Sequence, residues 1–117
     1  DRTPILIFDE IDAGIGGRAG GVVGRKLWSL TAEASPDGMG HQVLCVTHLP
    51  QLACYGDVHF KVAKAVVGGR TIASARALSE EERVEELAAM LGTATAVTRQ
   101  SARELLEQVK EAKRAKQ

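Results

Sequence analysis

Two adjacent carboxylates follow a short apolar run near the start of the chain. Residues 5–8 are all apolar, and Asp9 and Glu10 come directly after them. Four apolar residues without polar alternation predict a strand buried on both faces, as in a parallel sheet. Ligands of open α/β sheets bind at the carboxyl ends of the strands. Neighbouring strand residues point in opposite directions, so one carboxylate could hold a hydrated Mg²⁺ while the other polarises an attacking water.

A histidine stands in the corresponding place after a second apolar run. Residues 43–46 are Val-Leu-Cys-Val, and Thr47 and His48 follow them. If the two strands are neighbours, His48 leaves the sheet at the same edge as Asp9 and Glu10. An imidazole at that edge can donate a hydrogen bond to a terminal phosphate oxygen. The two acids and the histidine together predict a site for phosphoryl chemistry, although each alone is common as a turn or surface residue.

The residues between the two runs predict the helix that connects these strands. Val23, Leu27, Leu30 and Ala34 recur at the spacing of one helix face. The segment Pro36-Asp37-Gly38 then breaks the helix before the second strand begins. Strand, helix and strand at this spacing predict a βαβ unit with a right-handed crossover.

The second half of the chain predicts a hairpin. Residues 58–67 and 71–78 are rich in residues that favour strands, and they flank Gly68 and Gly69. Two glycines between such runs predict a tight turn and antiparallel pairing.

Two helices should close the chain. Ser79 and Glu82 have the spacing of a capping box, and Gly92 stands where a helix that begins there would end. A last helix is predicted over residues 95–113. The predicted fold class is therefore α/β, with a parallel sheet core, a β-hairpin and C-terminal helices.

The bulk composition is that of an ordinary globular domain. The chain has 117 residues with 44% hydrophobic and 26% charged residues, and its formal net charge is zero. That balance indicates no broad basic surface for nucleic acid. Cys45 and Cys54 match no zinc or redox spacing, and no apolar run is long enough to cross a membrane. Because Asp1 stands almost directly before a strand, we expect the chain to be a piece of a longer protein.

Several segments resemble one known class of ATPase. Residues 9–17 resemble the Walker B motif and D-loop of SMC-like ABC ATPases, and residues 46–51 resemble their switch-histidine segment. The Gly-Ile-Gly variant of the D-loop and residues 86–92 are similar to the RecN family of DNA-repair ATPases in particular. The resemblance covers nearly the whole chain in the expected order. It implies that residues 1–117 form the C-terminal half of an ATPase head, the C-terminal lobe of an ABC/SMC-type P-loop ATPase.

The resemblance implies a role for each matching residue. Asp9 would bind Mg²⁺ through water, Glu10 would act as the catalytic base, and His48 would contact the γ-phosphate of ATP. The D-loop, which crosses to the opposing head, would consist of Asp12, Ala13, Gly14, Ile15, Gly16 and Gly17. The common ABC D-loop has an aspartate at the place of Gly16, which puts the usual trans contact of that aspartate in doubt.

Two motifs of this class do not occur in the sequence. The chain has no G-x-x-x-x-G-K-[ST] phosphate-binding loop and no Leu-Ser-Gly-Gly-type signature. In the class they lie upstream, with a coiled coil between them. The resemblance thus implies that the chain needs the N-terminal half of its own head, and that the isolated chain is inactive and aggregation-prone.

The resemblance also implies the function of the full-length protein. That function is Mg²⁺-dependent ATP hydrolysis that drives the dimerisation of heads in repair of DNA double-strand breaks by recombination. Its partners would be a second head in a homodimer and DNA, without a membrane, in the cytoplasm and associated with the nucleoid.

Two other function classes fit parts of the sequence. A dinucleotide-binding turn would place the first glycine of its motif at Asp12, where a carboxylate would repel a pyrophosphate. In a non-catalytic interaction module, Asp9, Glu10 and His48 would be surface groups and the basic C-terminal helix would dock a partner. The basic residues of that helix alternate with glutamates, which is typical of a solvated face.

Overall fold

The computed structural model describes residues 5–9, 17–32 and 40–115. Strand β1 (Ile5–Asp9), helix α1 (Gly17–Ala32) and strand β2 (Gln42–Val46) follow one another along the chain. The two strands pair in parallel, with Ile7 opposite Leu44 and Asp9 opposite Val46. The predicted βαβ unit is therefore confirmed.

The sheet of β1 and β2 is covered on one face only. Helix α1 packs against β2, and Leu6 and Phe8 are half-buried. The residues that alternate with them are exposed to solvent, Ile5 to 56% and Ile7 to 69%. The expectation that both faces of these strands are buried was therefore wrong for this chain. The apolar runs suit a sheet with two covered faces, whereas the described residues supply a cover for one.

A short helix follows β2 and was not predicted. Helix α2 (Pro50–Ala53) packs against α1, with Pro50 and Leu52 buried. Proline suits the first turn of a helix because its missing N–H would have no partner there. Four residues are too few to show a helical period in the sequence, so α2 has no visible hydrophobic pattern.

The hairpin is confirmed, with bounds that differ slightly from the prediction. Strands β3 (Phe60–Val67) and β4 (Arg70–Ala77) pair in antiparallel register. Gly68 and Gly69 form the two-residue turn and have φ angles of 57° and 78°. Positive φ at both positions is what the preferred hairpin turn requires, and glycine adopts it without steric cost. Every residue of both strands is exposed.

Two helices complete the chain and hold the core. Helices α3 (Glu80–Met90) and α4 (Ala96–Ala115) pack against each other. The Ser79 hydroxyl accepts from the Glu82 N–H at 3.2 Å, and the Glu82 carboxylate accepts from the Ser79 N–H at 2.9 Å. The predicted capping box is thus present, and Gly92 follows the helix end with a φ of 137°. The buried cluster of the core consists of Cys54, Leu87, Ala88, Ala102 and Val109.

Candidate functional site

Asp9 and His48 leave the small sheet at the same edge. Asp9 is the last residue of β1 and lies opposite Val46, the last residue of β2. His48 follows Val46 by two residues, and both Asp9 and His48 are exposed. Because paired strands lie about 4.8 Å apart, the parallel register places the segment that carries His48 next to the end of β1. The adjacency of the two strands, which the site prediction required, is present.

The backbone around His48 forms a defined turn. The Thr47 hydroxyl accepts a hydrogen bond from the Leu49 N–H at 3.0 Å, across His48. Leu49 is extended, with φ −96° and ψ 120°, and Pro50 then begins α2. A side-chain hydroxyl that bonds the backbone two residues later is a standard turn device, which fixes the local backbone. The turn holds His48 between the end of β2 and the start of α2.

Most of the other predicted site residues lie outside the described residues. These are Glu10 and the D-loop positions Asp12, Ala13, Gly14, Ile15 and Gly16. Gly17, the last predicted D-loop residue, is the first residue of α1. The predicted D-loop therefore runs directly into the helix that packs on the segment after His48.

Two glycines of α1 bring that helix very close to the segment after His48. Gly20 and Gly24 are buried and lie one turn apart on one face of the helix. A Cβ at Gly20 would lie 3.1 Å from Cδ1 of Leu49, and a Cβ at Gly24 would lie 2.7 Å from Cδ2 of Tyr55. Glycine inside a helix costs about 1 kcal/mol relative to alanine. Here the missing side chains allow close contact between α1 and residues 49–55.

Arg83 fixes the far end of the same segment. Its Nη2 donates to the carbonyl oxygens of Ala53 and Cys54, both at 3.1 Å, and to that of Gly56. Burial lowers the pKa of the Arg83 guanidinium from its usual value. These carbonyls lie at and just after the end of α2, where helix carbonyls lack partners within the helix, and that of Ala53 also accepts from the Gly56 N–H at 3.1 Å. Arg83 therefore anchors the C-terminal end of α2 to α3.

Sequence reasoning missed Gly20, Gly24 and Arg83. The glycines carried a signal, because a four-residue spacing of glycines in a predicted helix indicates close packing on one face. No sequence pattern indicated the role of Arg83, since this residue follows three glutamates and resembles an ordinary surface residue.

The chemistry of Asp9 suits a mostly hydrated Mg²⁺. Across residues 5–9, 17–32 and 40–115, no group of three or more His, Cys, Asp or Glu side chains is placed to hold a metal ion. Mg²⁺ commonly binds through one or two carboxylates, several waters and the phosphates of a substrate, without a closed protein cage. A single exposed carboxylate at a strand end fits that mode.

Two shallow concave surfaces of the described residues lie along α1, around Val23 and Lys26, and between the hairpin and α3, around Lys61 and Glu86. Neither includes Asp9 or His48. Among the described helices, none is both long and apolar enough to span a lipid bilayer.

The chain matches DNA repair proteins named RecN from several bacteria. It is 47% identical to RecN of Xylella fastidiosa over 79% of the chain and 15% of that protein. It is 49% identical to RecN of Mycobacterium bovis over 87% of the chain and 16% of that protein. With RecN of Bacillus subtilis the identity is 37% over 92% of the chain and 18% of that protein. The chain thus spans about one sixth of the length of these relatives.

The fold also matches a solved structure. That chain comes from work on the structural biochemistry of ATP-driven dimerization and DNA stimulated activation of SMC ATPases. The TM-score is 0.57 at 17% identity, over 81% of this chain and 52% of the solved one. No protein-family model matches the chain. The predicted fold class is confirmed, and over the segment that it spans the chain belongs to the RecN family of DNA repair proteins.

Proposed function

We propose that this chain supplies the hydrolytic edge of an ATPase site in a full-length DNA repair protein. The observation that carries the proposal is the parallel register of β1 and β2, which sets Asp9 and the His48 segment side by side. The chain also shares its sequence with RecN relatives and its fold with an SMC ATPase. A carboxylate and an imidazole at one sheet edge are suited to the two charged parts of a phosphoryl-transfer site, the metal and the γ-phosphate.

Each residue has a distinct part in the proposed reaction. Asp9 would hold Mg²⁺ through water, and the ion would supply positive charge beside the phosphates of bound ATP. Glu10, the next residue, orients and deprotonates the attacking water. His48 donates a hydrogen bond to a γ-phosphate oxygen, where negative charge must be held during transfer.

The proposed D-loop connects this edge to a second head. It comprises Asp12, Ala13, Gly14, Ile15, Gly16 and Gly17. Gly16 carries no carboxylate, so the contact across the dimer would come from the backbone or from Asp12. This arrangement would couple hydrolysis in one head to the state of the other.

The rest of the head must come from outside the 117 residues. The sequence has no phosphate-binding loop and no signature motif. The open face of the β1–β2 sheet, with Ile7 69% and Val46 56% exposed, offers a surface for the N-terminal half of the same head. We infer that the assembled protein hydrolyses ATP with Mg²⁺, dimerises through its heads, acts on DNA during recombinational repair, and is cytoplasmic and nucleoid-associated.

The Glu10→Gln variant of the full-length protein tests this proposal. The amide keeps the shape of the side chain but cannot accept the proton of the attacking water. Hydrolysis should fall by at least ~100-fold, the usual scale of a general base, while Mg-ATP still binds. Turnover can be measured by phosphate release, and binding by calorimetric titration.

A matched variant controls for the loss of one negative charge. Glu81 is exposed in the first turn of α3, an element that carries none of the proposed site residues. Glu81→Gln should therefore hydrolyse ATP at the parental rate. Near-parental turnover in Glu10→Gln would remove Glu10 from the proposed mechanism.

A further inference from the structure

The N-terminal part of α1 lies against the turn that carries His48. Gly20 is buried in the first turn of α1, and Leu49, the residue after His48, lies against it. A Cβ at Gly20 would lie 3.1 Å from Cδ1 and 3.8 Å from Cβ of Leu49, and 3.6 Å from Cβ of Gln51. A contact at 3.1 Å is closer than normal van der Waals separation between carbons. An alanine at position 20 therefore requires the end of the Leu49 side chain to give by a few tenths of an ångström, and a bulkier side chain would also press on the Cβ atoms of Leu49 and Gln51 and so on the segment that begins at Leu49.

The turn should transmit such a movement to His48. The Leu49 N–H is bonded to the Thr47 hydroxyl at 3.0 Å, so the backbone on both sides of His48 is linked. Val46, just before this turn, is held in register with β1. A shift of Leu49 away from α1 must therefore be absorbed between Thr47 and Leu49, which is where His48 lies.

The remainder of the segment offers little freedom to absorb the shift. Tyr55 and Leu52 pack against Gly24, where a Cβ would lie 2.7 Å from the Tyr55 ring and 3.4 Å from the Leu52 Cα. Arg83 holds the carbonyls of Ala53 and Cys54 at 3.1 Å. The C-terminal end of the segment is thus fixed, and displacement at Leu49 is directed toward His48.

We propose that Gly20 is a positioning residue for His48, and that its missing side chain sets the distance between the His48 turn and the start of α1. The inference rests on the proposed function, in which His48 contacts the γ-phosphate. Gly17, at the end of the proposed D-loop, lies in the same helical turn as Gly20. Gly20 therefore also keeps the D-loop exit and the His48 turn at a fixed separation.

A graded series at position 20 tests the inference in the full-length protein. Gly20→Ala should reduce kcat for ATP hydrolysis by a few-fold and Gly20→Val by ~10- to 100-fold, since misplacement of about 1 Å can have effects of that size. The affinity for ADP should stay near the parental value, because the γ-phosphate is the only part of ATP that His48 contacts in the proposed site.

The chain offers a matched control next to Gly20. Among the described residues, a Cβ at Gly21 would meet no atom within 4 Å. Gly21→Ala and Gly21→Val make the same changes on the same helix turn, and both should retain parental kcat. Leu49→Ala removes the side chain that Gly20 accommodates. The double variant Gly20→Val with Leu49→Ala should therefore recover most of the lost kcat.

The outcomes separate positioning from folding. Parental kcat in Gly20→Val overturns the inference. A joint loss of kcat, ADP affinity and melting temperature that Leu49→Ala does not restore also overturns it, because Gly20 is then needed only for folding. Parental hydrolysis in both Glu10→Gln and His48→Ala would instead overturn the proposed function itself. Loss of kcat in Gly20→Val, with rescue by Leu49→Ala and parental Gly21 variants, supports the inference.

Discussion

Asp9 and His48 are far apart in the sequence and become neighbours through a single pairing of strands. The pairing of Asp9 with Val46 is sufficient to bring the segment that carries His48 next to Asp9, because His48 follows Val46 by two residues. Asp9 ends β1 and His48 lies two residues beyond the end of β2, and both side chains are exposed. Substitutions of these two residues should therefore affect chemistry more than folding.

Replacement of His48 should slow ATP hydrolysis and leave the affinity for ADP nearly unchanged. His48 is exposed, so His48→Ala removes no buried packing. We expect hydrolysis to slow by roughly 100-fold, the scale for loss of one donor to a developing charge. ADP affinity should be nearly unchanged, because ADP lacks the phosphate that His48 contacts. Steady-state kinetics and calorimetric titration with both nucleotides measure these effects.

A donor-preserving variant sharpens the His48 test. His48→Gln can still donate a hydrogen bond, so it should retain more activity than His48→Ala. If ATP and ADP affinity fell together in His48→Ala, the residue would serve the folded structure and not the γ-phosphate.

Cys54 should make stability depend on pH in alkaline solution. Burial raises the pKa of this thiol from 9.0 to about 11. The unfolded chain therefore loses the thiol proton first, so the stabilising contribution is complete below pH 9 and is lost as pH rises toward 11. The expected loss is about 2 kcal/mol. Urea unfolding monitored at pH 8.5 and 10.5 should show it, and the Cys54→Ala variant should show a smaller decrease.

The site residues predicted from sequence and the packing residues that sequence reasoning missed differ in what defines them. Asp9 and His48 can be recognised from their sequence neighbours, since each comes after an apolar run. Gly20 and Arg83 are defined by partners far along the chain, Leu49 in one case and the carbonyls at the end of α2 in the other. Such contacts exist only after the helices have packed, so no local pattern identifies the partner.

Among the elements, α1 has a sequence that permits close packing on residues 49–55 and gives low intrinsic helix stability. It carries four glycines, at positions 17, 20, 21 and 24, within 16 residues. Its other end is also held from outside, because the Lys113 ammonium of α4 lies 5.5 Å from the centre of the Trp28 ring and 2.8 Å from the Asp57 carboxylate. The packing of α1 against α2 and β2 must compensate for its weak propensity.

Alanine at two of these glycines should have opposite effects on stability. Gly21→Ala would meet no atom of residues 5–9, 17–32 or 40–115 within 4 Å and should raise stability by about 0.5–1 kcal/mol through helix propensity. Gly24→Ala brings a Cβ to 2.7 Å from the Tyr55 ring and should lower stability by about 1–3 kcal/mol. Melting temperatures of the two full-length variants give the comparison, and equal shifts would contradict the close packing of α1 on residues 49–55.

Most elements were predictable because their ends carry local signals. The Ser79–Glu82 capping box and the Gly68–Gly69 turn each involve residues that contact one another within a few positions. The covered faces of the sheet were not predictable in the same way. An apolar strand shows that both faces suit burial, but not which element covers them, and here α1 covers one face only.

For the whole molecule, the main property is the amount of apolar surface that stays open. The β1–β2 sheet exposes Ile7 and Val46, and one face of the hairpin exposes Phe60, Val62 and Val66 at 55%, 65% and 74%. Contiguous apolar surfaces of this kind mark interfaces in native proteins and aggregation sites in isolated fragments. This property supports the proposal that the chain completes its core with the N-terminal half of the head.

The isolated 117 residues should neither bind nor hydrolyse ATP measurably. They carry Asp9 and Glu10 but no phosphate-binding loop or its lysine, and two carboxylates alone repel a polyphosphate. The fragment should also aggregate, and addition of the N-terminal half should restore solubility and ATP binding. Calorimetric titration with Mg-ATP is the measurement, and micromolar binding by the fragment alone would show that the nucleotide site is misplaced.

The turn at Gly68 and Gly69 makes the hairpin tip a useful place for a reporter. A Cβ at either glycine would meet no atom of the described part of the chain within 4 Å, and the turn stands at the end of two exposed strands. Exposed tips of small residues tolerate insertions well. A short epitope or a cysteine for a fluorophore inserted between the two glycines would lie in a different sheet from Asp9. Head association could then be followed by fluorescence in a protein that keeps its proposed catalytic residues unchanged.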